Sequence, residues 1–357
     1  MAGKSYKILV INPGATSTKM GVFENDKEVF KKIIDHSADE LKKFKSIMDQ
    51  KDFRLELLLN NLRDNKVDLK SLSAVVGRGG LLKPLESGTY EINGAMLTDL
   101  VEGKRGEHAS NLGGVLADLI AKRAGVKAYI VDPVSVDEML PVARISGMPD
   151  IERESLSHAL NIKAVAKRFA KETGKPYEKM NLVIAHLGTG ISVTAHTGGR
   201  MIDVVNPKEE GPFAMDRCGA LPTMALATLC YSGKYTEKEL KKRLFGDGGI
   251  YAYLGTKDLR EVKKMIAGGN EKARLLYEAI VYQTSKEIGS MATVLKGKVD
   301  TILLTGGMAN DEELIEKIKD RVKFIADIKV YPGEDELKAL AEGTLRVLKG
   351  EEKAKIY

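Results

Sequence analysis

Ile8-Leu-Val-Ile-Asn-Pro-Gly-Ala-Thr-Ser-Thr-Lys-Met-Gly-Val22 runs from apolar residues through a turn of glycine and hydroxyls into a second apolar stretch. The chain doubles straight back after the turn, which reads as a β-hairpin. A P-loop or dinucleotide fingerprint must open a helix after its glycines, whereas Lys19-Met-Gly-Val-Phe23 continues as strand. Residues 182–195, Leu-Val-Ile-Ala-His-Leu-Gly-Thr-Gly-Ile-Ser-Val-Thr-Ala, repeat the pattern. Two such hairpins, roughly half a chain apart, predict two duplicated domains gripping a phosphorylated ligand between them.

The segments around each hairpin follow one order. In the first half come a third strand near 29–34 and a helical stretch spaced by Leu41, Phe44, Met48, Leu55, Leu58 and Leu62. A short strand over 72–76 then ends at Gly77-Arg78-Gly79-Gly80, a helix covers 112–120, and a strand over 128–131 ends at Asp132-Pro133. In the second half the third strand is 201–205, followed by helices at 223–231, 237–245, 257–267 and 271–295. A strand over 301–305 runs into Gly306-Gly307, then come a helix from Asp311, a strand over 328–331 and a helix from Glu334. This is an α/β pattern. A helix over 155–171 reads as the link, so the expected domains are 1–160 and 161–357.

Length and composition agree with two globular domains: 357 residues, 43% hydrophobic and 30% charged. No run approaches ~18 uninterrupted apolar residues, which argues against a membrane partner. A strand begins almost at once after Met1, so no secretory leader is expected and the location expected is cytoplasmic. The net charge of +6 is spread without a basic run or interleaved aromatics, which argues against nucleic acid. Cys218 and Cys230 are too few for a metal site and read as structural. Only two glutamines, Gln50 and Gln283, beside abundant Lys and Glu, suit a heat-adapted protein.

With both hairpins placed, the chain resembles the acetate and sugar kinase, heat-shock ATPase and actin superfamily over nearly its whole length, and within it the acetokinase family. Asn12-Pro-Gly-Ala-Thr-Ser-Thr-Lys19 is similar to the family's Asn-x-Gly-Ser-Ser-Ser-x-Lys, and His186-Leu-Gly-Thr-Gly-Ile-Ser192 to its His-Leu-Gly-x-Gly-x-Ser. The resemblance implies an α/β fold of two duplicated actin-like ATPase (ribonuclease H-like) domains with a central cleft, the acyl substrate on the N-terminal side and the nucleotide on the C-terminal side. It also implies an ATP-dependent kinase of short-chain fatty acids, with ATP/ADP and Mg²⁺ as cofactors and a homodimer or higher homo-oligomer as the assembly. Ala15-Thr16 replaces the Ser-Ser of acetate-using members, as in members acting on butyrate. Gly80 stands where those members carry Val, which would leave room for extra methylenes. Butyrate or isobutyrate is therefore the expected acid. Acetate or propionate remains an alternative, as does a non-enzymatic nucleotide-switched actin-like or chaperone-type protein.

Glycine-turn amides can approach phosphate oxygens because no Cβ intervenes, although each turn alone could be an ordinary hairpin. On the resemblance, Asn12, Gly14, Ser17, Thr18 and Lys19 serve one phosphate region, and Gly188, Thr189 and Gly190 another. Arg78 would clamp the acyl carboxylate, a bidentate task suited to guanidinium. Arg217 would be the second active-site arginine, His186 a donor to the transferring phosphoryl group, and Asp132 a carboxylate orienting the acid or Mg²⁺. Gly80, His108, His158 and Pro207 would line the acid pocket; His196 reads as peripheral. Gly306, Gly307 and Met308 resemble the adenosine segment, with Asp258 and Arg260 flanking the adenine. Glu336, or Asp335 in another register, would contact the metal. The plainer alternatives are a turn-starting aspartate before Pro133, helix-start charges at 258–260, and an N-terminal helix charge at 334–336.

Overall fold

The computed structural model describes residues 4–357, so the segment read for a leader lies partly outside the described residues. The first hairpin forms as read: β1 (Lys7–Pro13) pairs antiparallel with β2 (Ser17–Glu24), and β3 (Lys27–Asp35) extends the meander. Residues 8–13 of β1 are all buried, as happens when both faces of a sheet are covered. The helix expected across residues 41–62 is instead broken into α1 (Ala38–Leu41), a 3₁₀ turn and α2 (Lys51–Asp64). Ser46 and Asp49 exchange side chain-to-backbone bonds of 2.8 and 3.2 Å, a capping arrangement that starts a new helix.

Next come β4 (Ala74–Arg78), β5 (Thr89–Glu91), α3 (Gly94–Glu102), α4 (Asn111–Ala124) and β6 (Lys127–Val131); β5 and α3 carried no clear sequence signal. A Cβ on Gly77 would lie 2.0 Å from the Gly113 oxygen, so glycine lets α4 pack backbone-to-backbone on β4 beside Arg78.

The second unit opens with α5 (Pro141–Arg144) and α6 (Ala159–Thr173). Its meander is β7 (Leu182–Leu187), β8 (Ile191–Thr197) and β9 (Arg200–Val204). Five helices follow: α7 (Thr223–Cys230), α8 (Glu237–Leu244), α9 (Gly249–Leu254), α10 (Leu259–Ala267) and α11 (Glu271–Val294). Then come β10 (Thr301–Gly306), α12 (Glu312–Val322) and β11 (Ile328–Pro332). The chain closes with α13 (Glu336–Leu348) and β12 (Lys355–Ile356).

The duplication is explicit in the sheets. The first is ordered β12-β5-β6-β4-β1-β2-β3 and the second β11-β10-β7-β8-β9. In both, an antiparallel meander is continued by two parallel strands, and the second and third strands slip register by a bulge, at Val22/Phe23 and at Ala195/His196.

The units do not divide at 160/161. One comprises residues up to Asp137 together with Asp335–Tyr357; the other is Glu138–Glu334. Glu138 is held in the second unit by buried Lys163 Nζ at 2.6 Å and the Met201 amide at 2.7 Å. α6 likewise belongs to that unit and is no link. α13 belongs to the first, where Thr89 Oγ1 donates to the Gly343 oxygen at 3.1 Å and Gly343 has no Cβ to collide with Val131. No described helix is long and apolar enough to cross a membrane.

Candidate active site

In the first unit three polar side chains emerge at the carboxyl ends of neighbouring strands, where α/β sheets present their ligands. Asn12 is near the end of β1, Arg78 is the last residue of β4, and Asp132 follows β6, whose Val131 lies opposite Arg78. All three are buried. Asp132 has φ +38°, a left-handed conformation that strains a non-glycine residue. Its Oδ1 accepts from Ser87 Oγ at 2.6 Å and the Gly88 amide at 2.7 Å, which holds the carboxylate in place.

Glu336, at the start of α13, joins two of the three. One carboxylate oxygen pairs with Arg78 Nη1 and the other accepts from Asn12 Nδ2. Oxygen donors of this kind suit Mg²⁺, which takes one or two carboxylates and otherwise keeps water and phosphate. Among the described residues no three His, Cys, Asp or Glu side chains converge as a ready-made cage. Asp335, the other acidic residue in this segment, caps α13, its Oδ1 accepting from the Lys338 amide at 3.3 Å.

The phosphate turns differ from expectation in their glycine amides. Gly14 N–H donates to the Ser17 oxygen at 2.7 Å and Gly188 N–H to the Gly190 oxygen at 3.2 Å, so both close their own turns. Gly14 meets no close neighbour that would forbid a side chain. The first turn is held from behind by Arg54, which no sequence motif singled out. A legible signal existed: Arg54 precedes Leu58 by four and Leu62 by eight, and so shares their buried helical stripe.

In the second unit His186 is buried at the end of β7, opposite Thr305 of β10. Its ring stacks on His158 with centroids 3.9 Å apart and planes 9° from parallel. Asn161 Nδ2 lies 2.9 Å from His186 Nδ1 and donates to Thr305 Oγ1 at 3.1 Å. Of the two Asn161 amide atoms it is the nitrogen that faces Nδ1, an arrangement that suits a ring accepting at that position. Nε2 is 3.1 Å from Glu334, a partner the motif did not include. His158 Nδ1 reaches Ser192 Oγ at 2.9 Å. A Cβ on Gly190 would lie 3.4 to 3.8 Å from Pro207, His158 and Arg217, so these motif residues do converge. Arg217 pairs with Asp216 and lies 3.6 Å above the Phe245 ring, which fixes its plane.

The remaining expectations divide. Gly306 has φ +94° and its Cβ would strike the Leu187 oxygen at 2.3 Å, so glycine is required by the fold itself. Gly307 has nothing within 4 Å of its Cβ position, leaving its backbone accessible to a flat ring. The Met308 side chain is buried in the hydrophobic core, so its nucleotide contact could only be through backbone. Asp258 caps α10 and is chelated by Arg260, which holds its carboxyl down at about 2; both are engaged as ordinary helix-start charges. His108 is exposed and bonds Ser110 at the start of α4. Gly80 does not open a pocket: its Cβ would lie 2.3 Å from Asn111 Oδ1 and 2.6 Å from Asn111 Cα. His196 is fully buried between Tyr177 and Thr194.

The sequence profile of the Acetokinase family matches residues 153–341. Butyrate kinase 1 of Clostridium acetobutylicum is 54% identical over 353 residues, 99% of each chain. The chain belongs to the acetokinase family. Probable butyrate kinase 2 of Caldanaerobacter subterraneus subsp. tengcongensis is 53% identical over 352 residues, again 99% of each. The acetate kinase of Porphyromonas gingivalis has the same fold, with a TM-score of 0.80 at 22% identity over 96% of this chain and 100% of that one. This acetokinase is thus a phosphotransferase with a carboxyl group as acceptor.

Proposed function

We propose that this acetokinase transfers the γ-phosphoryl group of ATP to butyrate or isobutyrate, giving the acyl phosphate and ADP, and catalyses the reverse transfer. The 54% identity to a butyrate kinase over nearly the full length carries the reading. The four-carbon preference rests on that kinship, since Gly80 faces Asn111 and supplies no extra room.

A carboxylate is already anionic at neutral pH, so the reaction needs no general base. Its barrier is the approach of two anions, which positioning and charge neutralisation lower. Arg78 binds the acid carboxylate, and Asp132 keeps the edge beside it ordered. Arg217, held flat by Phe245, and the Nε2–H of His186 neutralise the phosphoryl oxygens. The two hairpin turns hold phosphates through Ser17, Lys19 and Thr189, Thr18 being turned back onto Arg54 and His36, and the Gly307 backbone lies against the adenosine. Asn12 and Glu336 would hold Mg²⁺, which when bound would supply charge neutralisation at the nucleotide phosphates. Replacing Arg217 or His186 lowers turnover by about 10² to 10³.

This reading includes a homo-oligomer built through the second unit. α7 buries none of its residues although its sequence is Thr-Met-Ala-Leu-Ala-Thr-Leu-Cys, with Met224 80% and nearby Tyr231 93% exposed. Light scattering of the intact protein tests it.

The deciding assay incubates the protein with Mg-ATP, hydroxylamine and acetate, propionate, butyrate, isobutyrate or glucose. Hydroxamate formed fastest with butyrate or isobutyrate is the expected result. Acetate fastest would overturn the chain-length assignment, and no hydroxamate with any acid would overturn the reaction.

A further inference from the structure

Arg54 is 1% exposed on α2 and makes no ion pair among the described residues. Its guanidinium donates six hydrogen bonds, all to neutral oxygens. Nε and Nη2 reach Gln50 Oε1 at 3.0 and 2.8 Å. Nη1 reaches the Gly14 and Ser17 oxygens and Thr18 Oγ1 at 2.9, 3.1 and 3.0 Å, and Nη2 the Ala15 oxygen at 3.3 Å. Four of the six therefore end on the β1–β2 turn.

Two consequences follow from elementary geometry and electrostatics. In a planar trans peptide the C=O and the next N–H point opposite ways. Drawing the Gly14 and Ala15 oxygens onto Arg54 turns the amides of Ala15 and Thr16 away from it. The turn thus gains two outward N–H donors to replace the Gly14 amide, which closes the turn. The second consequence is a full positive charge buried behind that turn without a counter-charge. Burial makes such a charge costly unless it is paired, and desolvation holds the Arg54 pKa down at about 10.

We propose that Arg54 is a positioning residue of the first phosphate turn, and that a phosphate held by the turn is the counter-ion its buried guanidinium lacks. The inference rests on the kinase reading, in which that turn binds a phosphoryl group. It assigns Arg54 two effects: it orients the turn through its fork, and it adds attraction for an anion through its charge.

Gln50→Glu separates these effects. The substitution is isosteric, keeps the fork's acceptor, and places a carboxylate where Gln50 Oε1 now takes two bonds from Arg54. The expected result is a higher unfolding temperature without ligand, together with about tenfold weaker MgADP binding by calorimetry, as expected for losing one charge behind the turn. Arg54→Lys, which keeps charge without the fork, should bind MgADP more tightly than Arg54→Gln. MgADP affinity of Gln50→Glu equal to that of the unaltered protein would overturn the proposal, as would equal losses in the Lys and Gln variants. Should Arg54→Gln fail to fold, the Gln50→Glu comparison decides. If the unaltered protein bound no MgADP and formed no acyl phosphate, the kinase reading itself would fall, which is distinguishable from the outcomes above.

Discussion

Arg78 and Glu336, 258 positions apart, form an ion pair at the carboxyl edge of the first sheet. The guanidinium proposed to clamp the substrate carboxylate thus already holds a carboxylate of the protein. Glu336→Gln removes this internal competitor, so butyrate binding without nucleotide should tighten about tenfold, equivalent to ~1.4 kcal/mol. Turnover with Mg-ATP should fall all the same, because the metal would lose the anionic ligand proposed for it. Calorimetry with butyrate alone checks the first half; an unchanged affinity would show that Glu336 does not compete.

Asn161 Nδ2 faces His186 Nδ1 at 2.9 Å. Asn161→Asp would place a second carboxylate beside the ring, opposite Nδ1, with Glu334 already 3.1 Å from Nε2. That ties the imidazole between two anions and adds negative charge where the phosphoryl group is proposed to bind. We expect kcat to drop by roughly 10²-fold, in the range of losing one transition-state donor, with KM for ATP little changed. Steady-state kinetics beside a thermal melt test this; a fall confined to KM would contradict it.

Gly80→Val, which on sequence grounds would narrow the acid pocket, should instead disturb the start of α4. Its side chain would collide with Asn111, whose Oδ1 accepts from the Leu81 amide and whose Nδ2 donates to the Gly106 oxygen. Overpacking of this kind costs typically 1–3 kcal/mol. Urea denaturation should show that loss, and a variant of full stability with a shifted acid preference would restore the pocket explanation.

Stability should depend on pH through His196. Burial, with the charge of Lys163 adding to it, holds its pKa well below 6.5. Folded, it stays neutral while the unfolded chain takes up a proton below about pH 6.5. The contribution is therefore complete above that value and is lost as pH falls, by at most ~1.4 kcal/mol per pH unit. Denaturant unfolding from pH 7.5 to 5.5 should show a shallower slope in His196→Gln.

Local pattern determined much of this protein before any coordinate. Both hairpins, the α/β order of each half and the strand ends carrying Arg78, Asp132 and His186 are legible because apolar periodicity and glycine-hydroxyl turns are short-range signals. Chain order does not say which unit a segment packs on, so the expected boundary at 160/161 gave way to 137/138. The return of α13 to the first sheet is likewise a matter of what Val131 and Thr89 touch.

The same division runs through the site. Local pattern placed Asn12, Arg78 and His186 beside strand ends, while the resemblance to the family supplied their expected roles and named Arg217, which lies between β9 and α7. The tertiary structure alone decided that Glu336 pairs with Arg78, that Asn161 faces His186 Nδ1, that Gly80 faces Asn111, and that Arg54 stands behind the β1–β2 turn. Hydrogen-bond partners, counter-charges and free volume depend on segments far apart in sequence, and packing brings them into contact only once the sheets are formed.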